Sequence, residues 1–335
     1  MNKLRSTIWF GITVIFAVSL VTYALYHIVL RPSHIIPEIG GDGGKNIFTY
    51  LYQSTLGKGY WFDGMNYPYG EHIVYTDGQP LLSVSFAHLK NITVGEALTV
   101  LWLLIGFCHV LSILFVYKIL IHFRLAPLAA MLFAGLICIF SPQLFRMQGH
   151  YALSYACVIP MLFYWTIKYL ERFRWRYPVY IFIMGCLTSF LHPYYAAMLL
   201  VWVMTFVIGY FIFVKSSFPA KLKHTLPLVA SAIMVLAVVA IVMKVTDPVT
   251  DRPASPYNAF YEACTHIKQI ITSVKSPLWL RENGKPRFHF VSELGEGYTY
   301  VGIVVIVTVA RRCLLHGPFP FTTFQNSSQL ITPKS

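Results

Sequence analysis

The segment PEIGGDGGKNIF, residues 37–48, sets Asp42 among four glycines and follows it three residues later with Lys45. A carboxylate in such a place can take a proton from a hydroxyl as a general base. A neighbouring Lys, Arg or protonated His can hold and neutralise a phosphate leaving group. The side chains able to complete that set lie far apart in sequence. Arg146 and His150 occur in SPQLFRMQGHYALS, His192 and Tyr194 in FLHPYY, Arg252 just after TD in TDRP, and Glu296 in EGYTYVG. Between them lies GKGYWFDGMNYPYGEHIVYTDGQPLLS, residues 57–83, which alternates turn formers with Tyr, Trp and Phe. Glycine, proline and asparagine there favour tight turns, and the rings offer faces on which a sugar can stack.

These residues can cooperate only if the intervening chain brings them to one place, and the apolar pattern states how. Over half of the 335 residues are apolar, and they come in blocks nearly free of charge: 8–30, 98–121, 125–140, 151–170, 178–191, 194–214, 226–245 and 298–310. About 20 apolar residues span the hydrocarbon of a bilayer. The expected fold is therefore an all-α polytopic membrane protein of about eight transmembrane helices, with two long outer loops at about 31–97 and 246–297. The expected transmembrane domain covers residues 1–315, and residues 316–335 are expected to form a cytoplasmic tail without clear periodicity.

The first block lacks the small-residue cleavage pattern of a signal peptide and is expected to remain as an anchor. Lys3 and Arg5 precede it, which places the amino terminus in the cytoplasm by the positive-inside rule. Counting forward, Lys118, Arg124, Lys168, Arg172, Arg174, Arg176, Lys215, Lys221 and Lys223 fall inside. Asp42, Lys45, Arg146, His150, His192, Tyr194, Arg252 and Glu296 fall outside, at the ends of separate spans. A shift of one span would scatter them. The net charge of +13 thus reports topology and contact with anionic headgroups rather than nucleic-acid binding, which would need a soluble basic domain.

Structural roles compete with chemical ones at each position. Asp42 suits a helix N-cap or an Asx turn, His192 before Pro193 suits a helix-end hydrogen bond, and Arg146 and Arg252 suit headgroup anchors that snorkel. An interfacial helix is expected over residues 46–56, with Phe48, Leu51, Tyr52 and Thr55 on one face and Asp42 just ahead of it. His109 lies mid-span without a second ionisable group at its depth, which fits an interhelical hydrogen bond better than a relay. Cys108, Cys138, Cys157 and Cys186 lie in apolar blocks, and no cysteine pair has metal-ligand spacing.

An early first-loop acid, the aromatic NYPYG turn, the later GH and HPYY, and the EGYTYVG re-entry together resemble the GT-C superfamily of membrane glycosyltransferases, nearest the YfhO-like or mannosyltransferase-like bacterial members. The resemblance covers residues 1–310. It implies a bacterial inner (plasma) membrane protein, a polyprenyl-phosphate-linked sugar donor, a lipid or glycan acceptor, inverting transfer, and Asp42 as the catalytic base. The family often pairs that acid with a second carboxylate; here Glu38, Asp63 and Asp77 are the nearby substitutes. No cofactor is compelled, although isolated outer acids can hold a divalent cation through oxygen ligands. The family's members commonly have more spans and a carboxy-terminal outer domain, so a shortened relative that keeps only the fold is one alternative. A lipid or solute transporter or flippase is the other, but coupled transporters place charges and broken helices near the midplane, and His109 is the sole ionisable group there.

Overall fold

A computed structural model of the chain describes residues 3–34, 41–66, 68–89 and 91–250. Helix α1 (Lys3–Ala24) is followed by the short α2 (Tyr26–Leu30) and by α3 (Gly41–Leu56). The strands β1 (Trp61–Phe62) and β2 (Glu71–His72) pair antiparallel, and a 3-10 turn, Ile73–Thr76, leads to α4 (Pro80–Ala87). Then come α5 (Val94–His122), α6 (Pro127–Ile139), α7 (Pro142–Phe145), α8 (Val158–Arg172), α9 (Arg176–Ser189), α10 (Tyr194–Phe213) and α11 (Phe218–Thr246). Local chemistry sets several of the starts. Thr93 and Glu96 form a capping box on α5, and proline opens α4, α6, α7 and α11, where its missing N–H costs nothing.

Among the described residues, five helices are long and apolar enough to cross a membrane: Leu4–Ala24, Val94–His122, Tyr151–Arg172, Tyr194–Phe213 and Phe218–Thr246. They and the near-absence of sheet make the described residues an all-α membrane-protein fold. Two further expected spans are short helices. Helices α6 and α9 have 13 and 14 residues, which at about 1.5 Å per residue rise only about 20 Å. The expected first span is interrupted at Leu25, whose φ of −109° and ψ of 26° are not helical. The eighth expected span, the second outer loop and the tail lie outside the described residues.

Helices α5 and α8 carry much of the core. Leu101, Trp102, Ile105 and Ile113 of α5 are fully buried and pack in one cluster with Leu162, Ile181, Leu199 and Val235 from α8, α9, α10 and α11. Around them, Ile15, Phe133, Leu136, Val201, Ile208, Ile233 and Ile241 are exposed. A soluble protein would pay heavily for so much exposed apolar surface; in lipid it is solvated. Cys108, Cys138 and Cys157 are buried, and these and Cys186 are free thiols.

The helix expected over residues 46–56 begins earlier, at Gly41, so Asp42 stands within its first turn rather than ahead of it. Its buried stripe is mostly polar. Asn46, Thr49, Tyr50, Gln53 and Ser54 are all buried, and Phe48 is exposed. Four of its donors reach backbone carbonyls from elsewhere, while Asn46 Oδ1 and Gln53 Oε1 are buried without a partner among the described residues. Asn46 Nδ2 donates to Gly149 O at 2.7 Å, Thr49 Oγ1 to Thr76 O at 3.1 Å, Tyr50 Oη to Ala97 O at 2.8 Å and Gln53 Nε2 to Gly59 O at 2.6 Å. The apolar face packs sideways, with Phe48 and Tyr52 against Phe62. Apolar periodicity therefore marks the wrong face of α3, because the donors of its polar stripe find carbonyl acceptors at residues 59, 76, 97 and 149.

Candidate functional site

Three connecting regions meet at one end of the bundle: residues 41–89, residues 140–157 and the α9–α10 junction. The first turn of α3 supplies Asp42 and Lys45, which at i and i+3 share a helix face. An acid in that turn is favoured by the helix dipole. The Asp42 side chain is 62 % exposed, and its Oδ2 lies 3.7 Å from His150 Nε2. Its carboxylate is thus open to a ligand, with a histidine beside it.

One turn along, Lys45 Nζ donates to Asp77 Oδ2 at 3.2 Å, and Asp77 Oδ1 accepts from His192 Nε2 at 2.8 Å. Asp77 therefore ties the α3 face to the start of α10. The tautomer of His192 follows from its other nitrogen. Nδ1 accepts the backbone N–H of Tyr194 at 3.1 Å, so the ring proton sits on Nε2 and points at Asp77. Burial pushes the Asp77 carboxyl up, but the His192 hydrogen bond and the Lys45 ammonium outweigh it and hold the group below its ordinary value. Two carboxylates at one site thus have different tasks open to them. Asp77 is locked as an ion, with both oxygens engaged, and Asp42 is exposed, with its carboxylate reachable by a ligand.

The segment that presents Asp77 is strained. Asp77 and Gln79 have φ of 58° and 51°, a region that side chains other than glycine rarely occupy. The surroundings over-determine it: Thr76 Oγ1 donates to Ile73 O, Tyr155 Oη donates to the buried Gln79 Oε1, and Leu81 N–H donates to Phe190 O. A glycine contact sets the other pair. Gly149 has a φ of 139°, and a Cβ there would lie 3.3 Å from Gly43 N. The turn bearing His150 therefore rests backbone to backbone on the first turn of α3, and Asn46 Nδ2 clasps it from below at Gly149 O. The glycines around Asp42 permit that approach.

Asp42, Lys45, His150 and His192 are thus brought together, in two linked pairs. Arg146 lies in the same turn as His150, and its carbonyl accepts His150 N–H at 2.8 Å. Tyr194 is 61 % exposed, with its ring edge-on to His192 at 4.5 Å. Arg252 and Glu296 lie outside the described residues, as does Glu38. Of the other substitute acids, Asp77 joins the cluster, and Asp63 hydrogen-bonds the exposed Tyr52 hydroxyl, which raises that phenol. Sequence reasoning missed Gln79, Asn46 and Tyr155. Only the TDGQP turn, with two polar residues around its glycine, hinted at a special backbone.

Among the described residues no three of His, Cys, Asp and Glu gather to hold a metal ion. One open carboxylate beside nitrogen donors falls short of the six or more oxygens that a calcium-type site takes, so no step is derived through a metal. His109 is buried in α5, and its Nδ1 donates to Ile105 O of its own helix at 2.9 Å.

No curated protein and no solved structure matches the chain. The family model described as a domain of unknown function, DUF6311, matches residues 12–329, nearly the whole sequence. By that extent of match, the protein that carries this polar cluster at one end of an apolar helical bundle belongs to the DUF6311 family.

Proposed function

We propose that the protein is an integral membrane glycosyltransferase that moves a sugar from a polyprenyl-phosphate donor to a lipid or glycan acceptor, with Asp42 as general base. The observation that carries this reading is the contrast between the two carboxylates: Asp77 half-buried with both oxygens engaged, Asp42 open beside His150. In this reading the acceptor hydroxyl gives its proton to Asp42 as its oxygen attacks the anomeric carbon. The bond from that carbon to the phosphate oxygen breaks, and the lipid phosphate leaves with the electron pair. Lys45, His150 and Arg146 neutralise the charge that builds on that oxygen. His192 and Asp77 act one step back by fixing the aim of Lys45. Exposed rings of the first loop, such as Tyr75 and Phe48, offer stacking faces.

The same reading takes about eight spans, a cytoplasmic amino terminus and the cluster on the outer face of a bacterial inner membrane. A transport function finds less support, because His109 is bonded within its own helix rather than to a second ionisable group. Purified protein given a radiolabelled polyprenyl-phosphate sugar and candidate acceptors is expected to transfer label. Asp42→Asn is expected to lower the rate roughly a hundredfold or more while unfolding at an unchanged temperature. Transfer that survives this substitution removes Asp42 as base, and solute uptake into liposomes that is indifferent to it favours transport.

A further inference from the structure

The opposite end of the bundle, where residues 122–127, 172–176 and 213–218 make short turns, is built around one ring contact. Phe173 closes α8 with a φ of 44°, which a bulky side chain seldom adopts. Its ring stacks on His224 of α11, centroids 3.6 Å apart and planes 15° from parallel. His224 is held in turn by Tyr210, whose hydroxyl pairs with Nδ1 at 3.0 Å, and by Tyr169, which donates to His224 O at 2.8 Å. The α8–α9 turn is thus fastened to α10 and α11. The α5–α6 turn joins through His122, which sits 3.1 Å from Glu171.

Among the described residues, the exposed charges in these turns are positive. Arg124, Arg172, Arg174, Arg176, Lys215 and Lys223 are exposed. Glu171 is the acid among these turns, and Lys168 at 2.8 Å and His122 already engage it. Arg176 is further oriented by its hydrogen bond to Tyr177 Oη at 2.8 Å. Exposed rings stand at the same level, Trp175 at 71 % exposure together with Phe123 and Phe218. Cations interleaved with aromatic rings at the ends of bilayer-length helices match the headgroup zone, where phosphate and the upper acyl chain lie side by side.

We infer that the turns around Phe173 form a preorganised site for the headgroup of an anionic phospholipid, with Arg172, Arg174 and Lys223 meeting the phosphate and Trp175 lying against the chain. The argument is one of charge complementarity on a rigid frame, and it is independent of the glycosyl-transfer reading. Binding of short-chain phosphatidylglycerol to the detergent-solubilised full chain tests it, with phosphatidylcholine and inorganic phosphate as comparison ligands. Phosphatidylglycerol is expected to bind in preference to phosphatidylcholine, and inorganic phosphate is expected to displace it poorly. The combined Arg172→Gln, Arg174→Gln and Lys223→Gln variant is expected to weaken it roughly fivefold for each cation removed. Phe173→Ala keeps every charge and is expected to weaken it several-fold, with circular dichroism reporting that the helices persist. Equal binding of the two lipids, efficient displacement by inorganic phosphate, or unchanged binding in the triple variant overturns the site. Unchanged binding in Phe173→Ala overturns its preorganisation.

Discussion

Asp77 and His192 stand 115 positions apart in sequence, yet Nε2 of the histidine donates to Oδ1 of the aspartate at 2.8 Å. The same aspartate takes Lys45 on its other oxygen. Through it, the helix that carries Asp42 and the helix that begins with Tyr194 are fixed to one another, and the remaining histidine nitrogen is capped by backbone.

Removing the aspartate leaves a buried N–H without an acceptor. Asp77→Ala is expected to destabilise the protein by about 1–3 kcal/mol, and Asp77→Asn by less, because its Oδ1 can still accept from His192. In a double-mutant cycle with His192→Ala the two sites are expected to couple by about 0.5–3 kcal/mol. Denaturant unfolding in a mild detergent measures this, and additive effects would show that the contact contributes nothing.

The depressed Asp77 carboxyl ties stability to pH. Its folded-state value lies below its ordinary 3.8, so the folded protein binds fewer protons than the unfolded chain in that range. The contribution of the group is complete above the ordinary value and is lost as pH falls through the lower, folded one. The melting temperature is therefore expected to fall on acidification below about pH 4, and Asp77→Asn is expected to flatten that limb. An acid limb of the same steepness in the variant would assign the loss to other groups.

At Gly149 a methyl group meets both an unfavourable φ and the backbone of Gly43. Gly149→Ala is expected to cost about 1–3 kcal/mol from backbone strain and to move His150 away from Asp42. Thermal unfolding reads the first effect. The second is read by transfer assays in which Gly149→Ala loses activity at temperatures where it is still folded; full activity there would mean that the 3.7 Å spacing has no role.

Much of the scaffold was legible because bilayer crossing imposes a long, charge-free run that no other constraint produces. The blocks at 98–121, 194–214 and 226–245 correspond to α5, α10 and α11. Even the convergence of Asp42, Lys45, His150 and His192 could be anticipated, since alternating spans sort the connecting segments between two ends. The first long connecting segment was harder to read. Its helix buries Asn46, Thr49 and Gln53, and a pattern rule that ranks residues by hydropathy assigns such a stripe to water.

The amino-acid sequence alone determined a membrane-embedded helical bundle and the end at which its polar residues gather, because both depend on the length and order of apolar segments. Tertiary structure decided which acid is locked and which is open. That division rests on single contacts between distant segments, His192 with Asp77 and Gly149 with Gly43, whose geometry depends on how helices pack and on a left-handed backbone at residue 77. No local spacing encodes a contact across more than a hundred residues.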